Sequence, residues 1–103
     1  MILTTIHNMG NYQYEVLGLV TGSMVSSKNM FKDFGAGLKS MVGGELKSYT
    51  AMMQEARHEA TQRMIAEAQA MGADAILGVS YATSSIIQGA AEVLATGTAV
   101  RFI

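Results

Sequence analysis

One uninterrupted amphipathic segment, Glu45–Met71, constrains the fold more than any other feature of the sequence. Its apolar residues recur at intervals of three or four, which is the spacing of one face of an α-helix. They are Leu46, Tyr49, Met53, Ala56, Ala60, Met64, Ala68 and Met71. Gly72 follows directly, and glycine is common just beyond a helix C-terminus. The sequence therefore predicts one long helix with a single apolar face that other elements must cover.

The rest of the chain predicts strands, a second helix and glycine-rich turns. The chain contains no proline, so its 11 glycines provide the strong breaks between elements. Besides the long helix, the predicted elements are a short strand or extended arm at Ile2–Ile6, strands at Tyr12–Val25, Ala75–Ala82 and Ala91–Ile103, a helix at Met30–Val42 and a loop at Thr83–Gly89.

Two features of the predicted strands go beyond simple alternation. Gly18, Gly78 and Gly97 lie inside strands, where glycine usually marks a bulge or a close approach of the backbone. Residues 16–20 are apolar on both faces, and a strand of that kind is normally covered on both faces. In so small a chain, we expect the second cover to come from another subunit.

Composition and charge exclude several classes of protein. Apolar residues make up 50% of the chain and charged residues 15%, against about 25% charged residues in an average globular protein. The apolar, nearly neutral composition argues against disorder. The scarcity of charge argues for burial of part of the surface by another copy. The net charge of −1 does not provide the excess of positive charge that binding to nucleic acid needs. We also expect no membrane span and no signal peptide.

The absence of cysteine removes disulfides, thiolate metal ligands and cysteine nucleophiles together. It is compatible with a reducing compartment, and we expect a cytoplasmic protein. No nucleotide loop or nucleophile elbow occurs in the chain, so we expect no catalytic residue and no cofactor.

Several short segments, spread over residues 1–103, are familiar in combination. They are Val20-Thr21-Gly22, Asn29-Met30-Phe31-Lys32-Asp33, Val42-Gly43-Gly44, Ala56-Arg57, Gly72-Ala73-Asp74-Ala75-Ile76-Leu77-Gly78-Val79 and Gly97-Thr98-Ala99-Val100. With these segments the chain resembles the YbjQ family, whose name carries the description "putative heavy-metal-binding". The resemblance implies one α+β domain with a dodecin-like subunit fold: a three-stranded antiparallel sheet with helices on one face. It further implies a ring-shaped homopentamer, with extra strands helping assembly, and it supplies no established activity.

The chain departs from the family pattern after its Gly-Gly pair. The family commonly has arginine there, and this chain has Glu45. An anionic ligand site that relied on that arginine is therefore not expected in the same form.

Glu55 and His58 are the candidate metal ligands, because three residues apart they can share one helix face. Glu-x-x-His spacing occurs in di-iron helix bundles, which need two copies of it and further glutamates. This chain has one copy, so a homo-oligomer would have to bring several together. The alternative is that Glu55, His58, Glu59 and Gln62 are the solvated face of the helix. Without cysteine, a soft heavy-metal site is hard to build.

Arg57 is a candidate ligand-binding residue because it falls on or near the predicted apolar stripe, as Glu67 does. A charge there must be paired or must reach water. One interpretation is an ion pair with Asp33, Asp74 or a carboxylate of a neighbouring subunit. The other is an anion site, with Asp33 and Tyr49 as further candidate ligand-binding residues.

From the sequence we expect a non-enzymatic, homo-oligomeric module, a ring of five, whose partner is itself and whose ligand is unidentified. One alternative is a metal-binding protein that uses symmetry-related Glu55 and His58. The other is an enzyme or anion-binding site at a subunit interface near Arg57.

Overall fold

The computed structural model describes residues 1–27, 44–87 and 90–103. The predicted helix at Met30–Val42 and the candidate residue Asp33 lie outside these ranges. The described elements, in chain order, are β1 (Ile2–Leu3), β2 (Tyr14–Ser27), α1 (Gly44–Ala70), β3 (Ala75–Ile87) and β4 (Ala90–Phe102).

The strands form one mixed sheet in the order β1-β3-β4-β2. Strand β4 is antiparallel to both β2 and β3, whereas β1 is parallel to β3. The α+β class is therefore as expected, but the sheet has four strands rather than three antiparallel ones. The N-terminal arm makes the difference, because it joins the sheet through Ile2 N–H to the Asp74 carbonyl (3.4 Å) and Thr4 N–H to the Ile76 carbonyl (3.0 Å).

The predicted loop at Thr83–Gly89 was wrong over most of its length. Strand β3 continues to Ile87, and Thr83, Ser84 and Ser85 pair with Val93, Glu92 and Ala91 of β4. Serine and threonine are common in loops, but the pairing partner, not the residue type, decides whether such a stretch is extended.

The long helix was predicted to within one residue at each end. Its buried residues are spaced by four: Met52, Ala56, Ala60, Met64 and Ala68. Each step of four turns about 40° around the helix axis. The contact line therefore winds around α1, as packing against a twisted sheet requires. Tyr49 and Met71, which the stripe included, lie off this line and are exposed.

Small side chains dominate the interface between helix and sheet. The buried cluster consists of Val20, Ala56, Ala60, Met64, Ala68, Ile76, Val93, Ala95 and Ala99. Because five of these nine residues are alanine, the helix backbone can lie close to the sheet.

The closest approach of helix and sheet occurs at Gly22 of β2. A Cβ atom built on Gly22 would overlap the Ala60 carbonyl oxygen and the Met64 nitrogen. Both atoms belong to the helix backbone and cannot rotate away. Gly22 pairs with Ala95, so the helix-facing residues of both strands are small at this point.

The predicted role of the strand glycines is confirmed. Gly18 (φ 142°) and Gly78 (φ 61°) adopt left-handed conformations at shifts in strand register. Gly97 is a close approach instead, since a Cβ there would overlap the Ile76 side chain.

We expect Gly22→Ala to lower the free energy of unfolding by about 3 kcal/mol, because the added methyl group forces the helix away from the sheet. Gly10→Ala is the matched control: a Cβ added at Gly10 would meet no atom within 4 Å, and we expect a change within about 0.5 kcal/mol. Urea unfolding at equal protein concentration measures both values. Equal stabilities for the two variants would contradict the close approach.

Candidate functional site

The sheet face opposite α1, here called the open face, is left uncovered by the described residues along much of its length. Alternate residues of β4 point away from the helix, and the register places β2 residues beside them on the same face. The open face comprises Leu19, Thr21, Ser23 and Val25 of β2, Ser80, Ala82 and Ser84 of β3, and Glu92, Leu94, Thr96 and Thr98 of β4.

Large apolar side chains on this side of the sheet are exposed. Leu19 is 70% exposed and Val25 is 46% exposed. Val16, which pairs with Val100 beyond the bulge, is 65% exposed. Near the start of β2, Met9, Tyr14 and Phe102 pack against a second small buried cluster, to which Val100 belongs. Three large apolar side chains are therefore exposed along β2.

The outer edge of β2 is occupied in its middle by two helix side chains. A guanidinium nitrogen of Arg63 donates a hydrogen bond to the Ser23 carbonyl (2.7 Å). The Glu67 carboxylate accepts one from the Thr21 N–H (3.3 Å). Glu59 lies one turn earlier, 3.6 Å from Arg63. Two main-chain groups that an incoming strand would use are thus already bonded.

The candidate metal ligands Glu55 and His58 are both exposed on α1. Among residues 1–27, 44–87 and 90–103, no cluster of three or more His, Cys, Asp or Glu residues could hold a metal ion. A site built on Glu55 and His58 would therefore need ligands from outside this set, such as those of another subunit.

Arg57 is exposed, so its charge reaches water and needs no buried partner. In the described part of the chain its guanidinium makes no ion pair, and Tyr49, also exposed, is not brought into contact with it. The Asp74 carboxylate, one expected partner, instead accepts a hydrogen bond from the Phe102 N–H (2.9 Å). Asp74 therefore holds the end of β4 beside the start of β3.

Hydrogen bonds join the helix to β3 beside Arg57. The Thr61 hydroxyl donates to the Arg57 carbonyl (2.7 Å) and lies 2.7 Å from the Tyr81 hydroxyl. With its proton donated to the carbonyl, Thr61 accepts the proton of Tyr81. The tyrosine hydroxyl thus positions the middle of β3 against α1.

The N-terminal loop forms a shallow depression of about 230 Å³. Its lining is Ile6, Asn8, Met9, Gly10, Asn11 and Tyr12. The His7 ring lies over Gly78, where a Cβ would come within 2.7 Å of Nδ1. Tyr12 stacks on Phe102 with ring centroids 5.2 Å apart. The depression contains no convergent charged groups, so it has no arrangement typical of catalysis.

Sequence reasoning placed Glu67 near the apolar stripe but did not single out Arg63. The sequence does contain a pattern that includes Arg63: Glu59, Arg63 and Glu67 are spaced by four and lie along one side of the buried residues of α1. What the spacing could not show was that this side of the helix overhangs a strand edge. Within the described ranges, no helix has both the length and the apolarity needed to cross a membrane.

Comparison with known proteins gives the family. Residues 1–103 match the family model described as "Putative heavy-metal-binding". The chain belongs to the YbjQ family. A UPF0145 protein of Clostridium novyi is 52% identical over 103 residues, covering 100% of both chains. A UPF0145 protein of Helicobacter hepaticus is 58% identical over 90 residues, covering 87% of each.

A solved structure supports the fold of this YbjQ chain. The crystal structure of a DUF74 protein of unknown function from Pediococcus pentosaceus superposes with a TM-score of 0.73. The match covers 100% of this chain and 98% of that one, at 19% sequence identity. At that identity the similarity concerns the fold alone.

We expect Asp74→Ala to lower the free energy of unfolding by about 1 kcal/mol, because the Phe102 N–H loses its acceptor. Asp74→Asn keeps an acceptor oxygen and should recover most of the loss. Arg57→Ala should change stability by less than about 0.5 kcal/mol, since its side chain is exposed. Urea unfolding compares the three variants. A loss in Arg57→Ala equal to that in Asp74→Ala would contradict these roles.

Proposed function

We propose that this YbjQ chain is a non-enzymatic subunit of a homo-oligomer, and that five copies form a ring. The observation that carries the proposal is the exposure of Leu19, Val16 and Val25 along β2, on the side of the sheet that α1 does not cover. Several large apolar side chains exposed on one side of a sheet are typical of a surface that a partner covers.

The shape of the chain also supports assembly. The radius of gyration is 16.7 Å and the extents are 54 × 22 × 19 Å, whereas a compact domain of this length has a radius of gyration of about 13 Å. An elongated subunit exposes more of its long strands than it can cover alone. In the proposed ring, a neighbouring subunit buries the open face. The proposal includes a dodecin-like subunit fold and a cytoplasmic location.

Native mass spectrometry of tag-free protein tests the assembly. We expect one species near five times the subunit mass of 10.9 kDa. A monomer at micromolar concentration would overturn the proposal, and a stable species with another number of copies would overturn the ring of five.

Leu19→Lys should weaken the assembly, because it places a charge on the open face where a neighbour excludes water. We expect at least a tenfold rise in the subunit concentration at which the oligomer dissociates. Ile103→Lys is the control: Ile103 is 73% exposed but follows the end of β4. Mass photometry or sedimentation velocity over a dilution series gives both values, and equal behaviour of the two variants would argue against the open face.

Metal binding is the second candidate function, favoured by the description of the family. Glu55 and His58 are exposed on the same helix, so symmetry-related copies could complete a site that one chain lacks. Imidazole and carboxylate ligands would suit zinc, copper or nickel.

If this second function holds, tag-free protein incubated with zinc should retain metal in fixed ratio to subunits, and His58→Ala should lose it. Gln62→Ala, one turn further along the helix, should retain it. Elemental analysis after gel filtration gives the ratio. Wild-type protein that retains no zinc, copper or nickel would exclude the site.

A further inference from the structure

Glu92 is the one charged residue of the open face. It lies on β4 between Val25 of β2 and Ser84 of β3, neither of which carries a charge. The residue is partly buried in the sheet, and within the described residues no hydrogen bond or ion pair reaches its carboxylate. A partner that covers the open face must therefore bring a positive group to Glu92 or bury an uncompensated charge.

Arg57 is a cation without a partner on the other side of the sheet. The other two arginines, Arg63 and Arg101, each pair with a glutamate of their own subunit. Arg57 is exposed on α1, and the described residues offer it no ion pair. Arginine suits an ion pair at an interface, because its guanidinium is weakly hydrated and binds a carboxylate through two hydrogen bonds.

The two groups lie at similar heights along the sheet. The helix and β4 run in the same direction, because both are antiparallel to β2. Thr61 of α1 contacts Tyr81, which pairs with Ala95 of β4. Arg57 is one turn before Thr61, about 6 Å along the helix. Glu92 is three residues before Ala95, about 10 Å along the strand. The difference of about 4 Å is within the reach of an arginine side chain.

We propose that Arg57 of one subunit pairs with Glu92 on the open face of the next subunit. The inference rests on the proposed homo-oligomer and deepens it by naming the charges that decide which surfaces meet. Because the two groups lie on opposite sides of the sheet, each subunit gives one group to each of two neighbours. A ring with an odd number of subunits requires this head-to-tail arrangement.

The occupant of the open face is a second copy because the chain itself supplies the complementary charge at the matching height. Complementary charges fix orientation and register at an interface more than they raise affinity. Contact between two open faces is disfavoured, since it would bring two Glu92 carboxylates together. The pair acts between subunits, so its loss weakens association and leaves the fold of each subunit unchanged.

Charge reversal tests the pair. Arg57→Glu and Glu92→Arg each place like charges together, and each should raise the subunit concentration at which the oligomer dissociates by about tenfold or more. The double variant Arg57→Glu/Glu92→Arg restores opposite charges and should return to within about threefold of wild type. Sedimentation velocity over a dilution series, in a fixed and non-denaturing concentration of urea, gives these values. Circular dichroism shows whether each variant folds.

Glu55 provides the matched controls, because it is an exposed carboxylate on the same helix as Arg57. Glu55→Arg makes an equal change in charge and should dissociate as wild type does. Arg57→Glu/Glu55→Arg restores the net charge but not the pair, so it should remain as weak as Arg57→Glu alone.

The outcomes separate this inference from the proposed homo-oligomer. A monomeric wild type overturns both. An oligomeric wild type that neither reversal weakens, or weakened variants that the double reversal does not rescue, overturn the pair and leave the oligomer standing. If Glu92→Arg does not fold, Arg57→Ala, Glu92→Gln and their combination decide. A combined effect no larger than either single effect supports the pair, and additive effects overturn it.

Discussion

The contact between Gly22 and the backbone of α1 sets the geometry on which the other features depend. With no side chain between strand and helix, the axis of α1 lies close above β2, and alanines fill the remaining space. That short distance allows Arg63 and Glu67 to reach over the strand to its outer edge. A helix held further away by larger residues would leave the edge open. Packing in the core and protection of the edge are therefore consequences of one close approach.

The sequence predicted the elements better than it predicted their connections. The period of Glu45–Met71 and the glycine that follows are local signals, so α1 was placed to within a residue. The glycines inside strands were interpreted correctly for the same reason. The arm at Ile2–Ile6 was predicted to be extended, but joining β3 in parallel depends on a partner more than 70 residues away. The continuation of β3 past Thr83 likewise depends on β4, and no local pattern encodes it.

For the candidate site residues, too, local spacing predicted some features and not others. Helical spacing placed Glu55 and His58 on one exposed face, but spacing cannot supply the other ligands that a metal needs. The wheel position of Arg57 indicated partial burial, whereas the curved contact line leaves it in water. Arg63 was overlooked because its role lies in reaching a carbonyl 40 residues earlier in the chain. Residues that act on distant main-chain atoms leave little trace in the sequence pattern.

Arg63 and Glu67 bond to main-chain atoms of β2, so these bonds do not restrict which side chains family members carry at the bonded positions. A hydrogen bond to the Ser23 carbonyl or from the Thr21 N–H is indifferent to the side chain at that position. Only at Gly22, between them, does the helix backbone leave no room for a side chain. Substitutions at 21 and 23 therefore alter the open face while the joint between helix and strand stays intact. The open face can therefore evolve separately from the helix and strand that hold it.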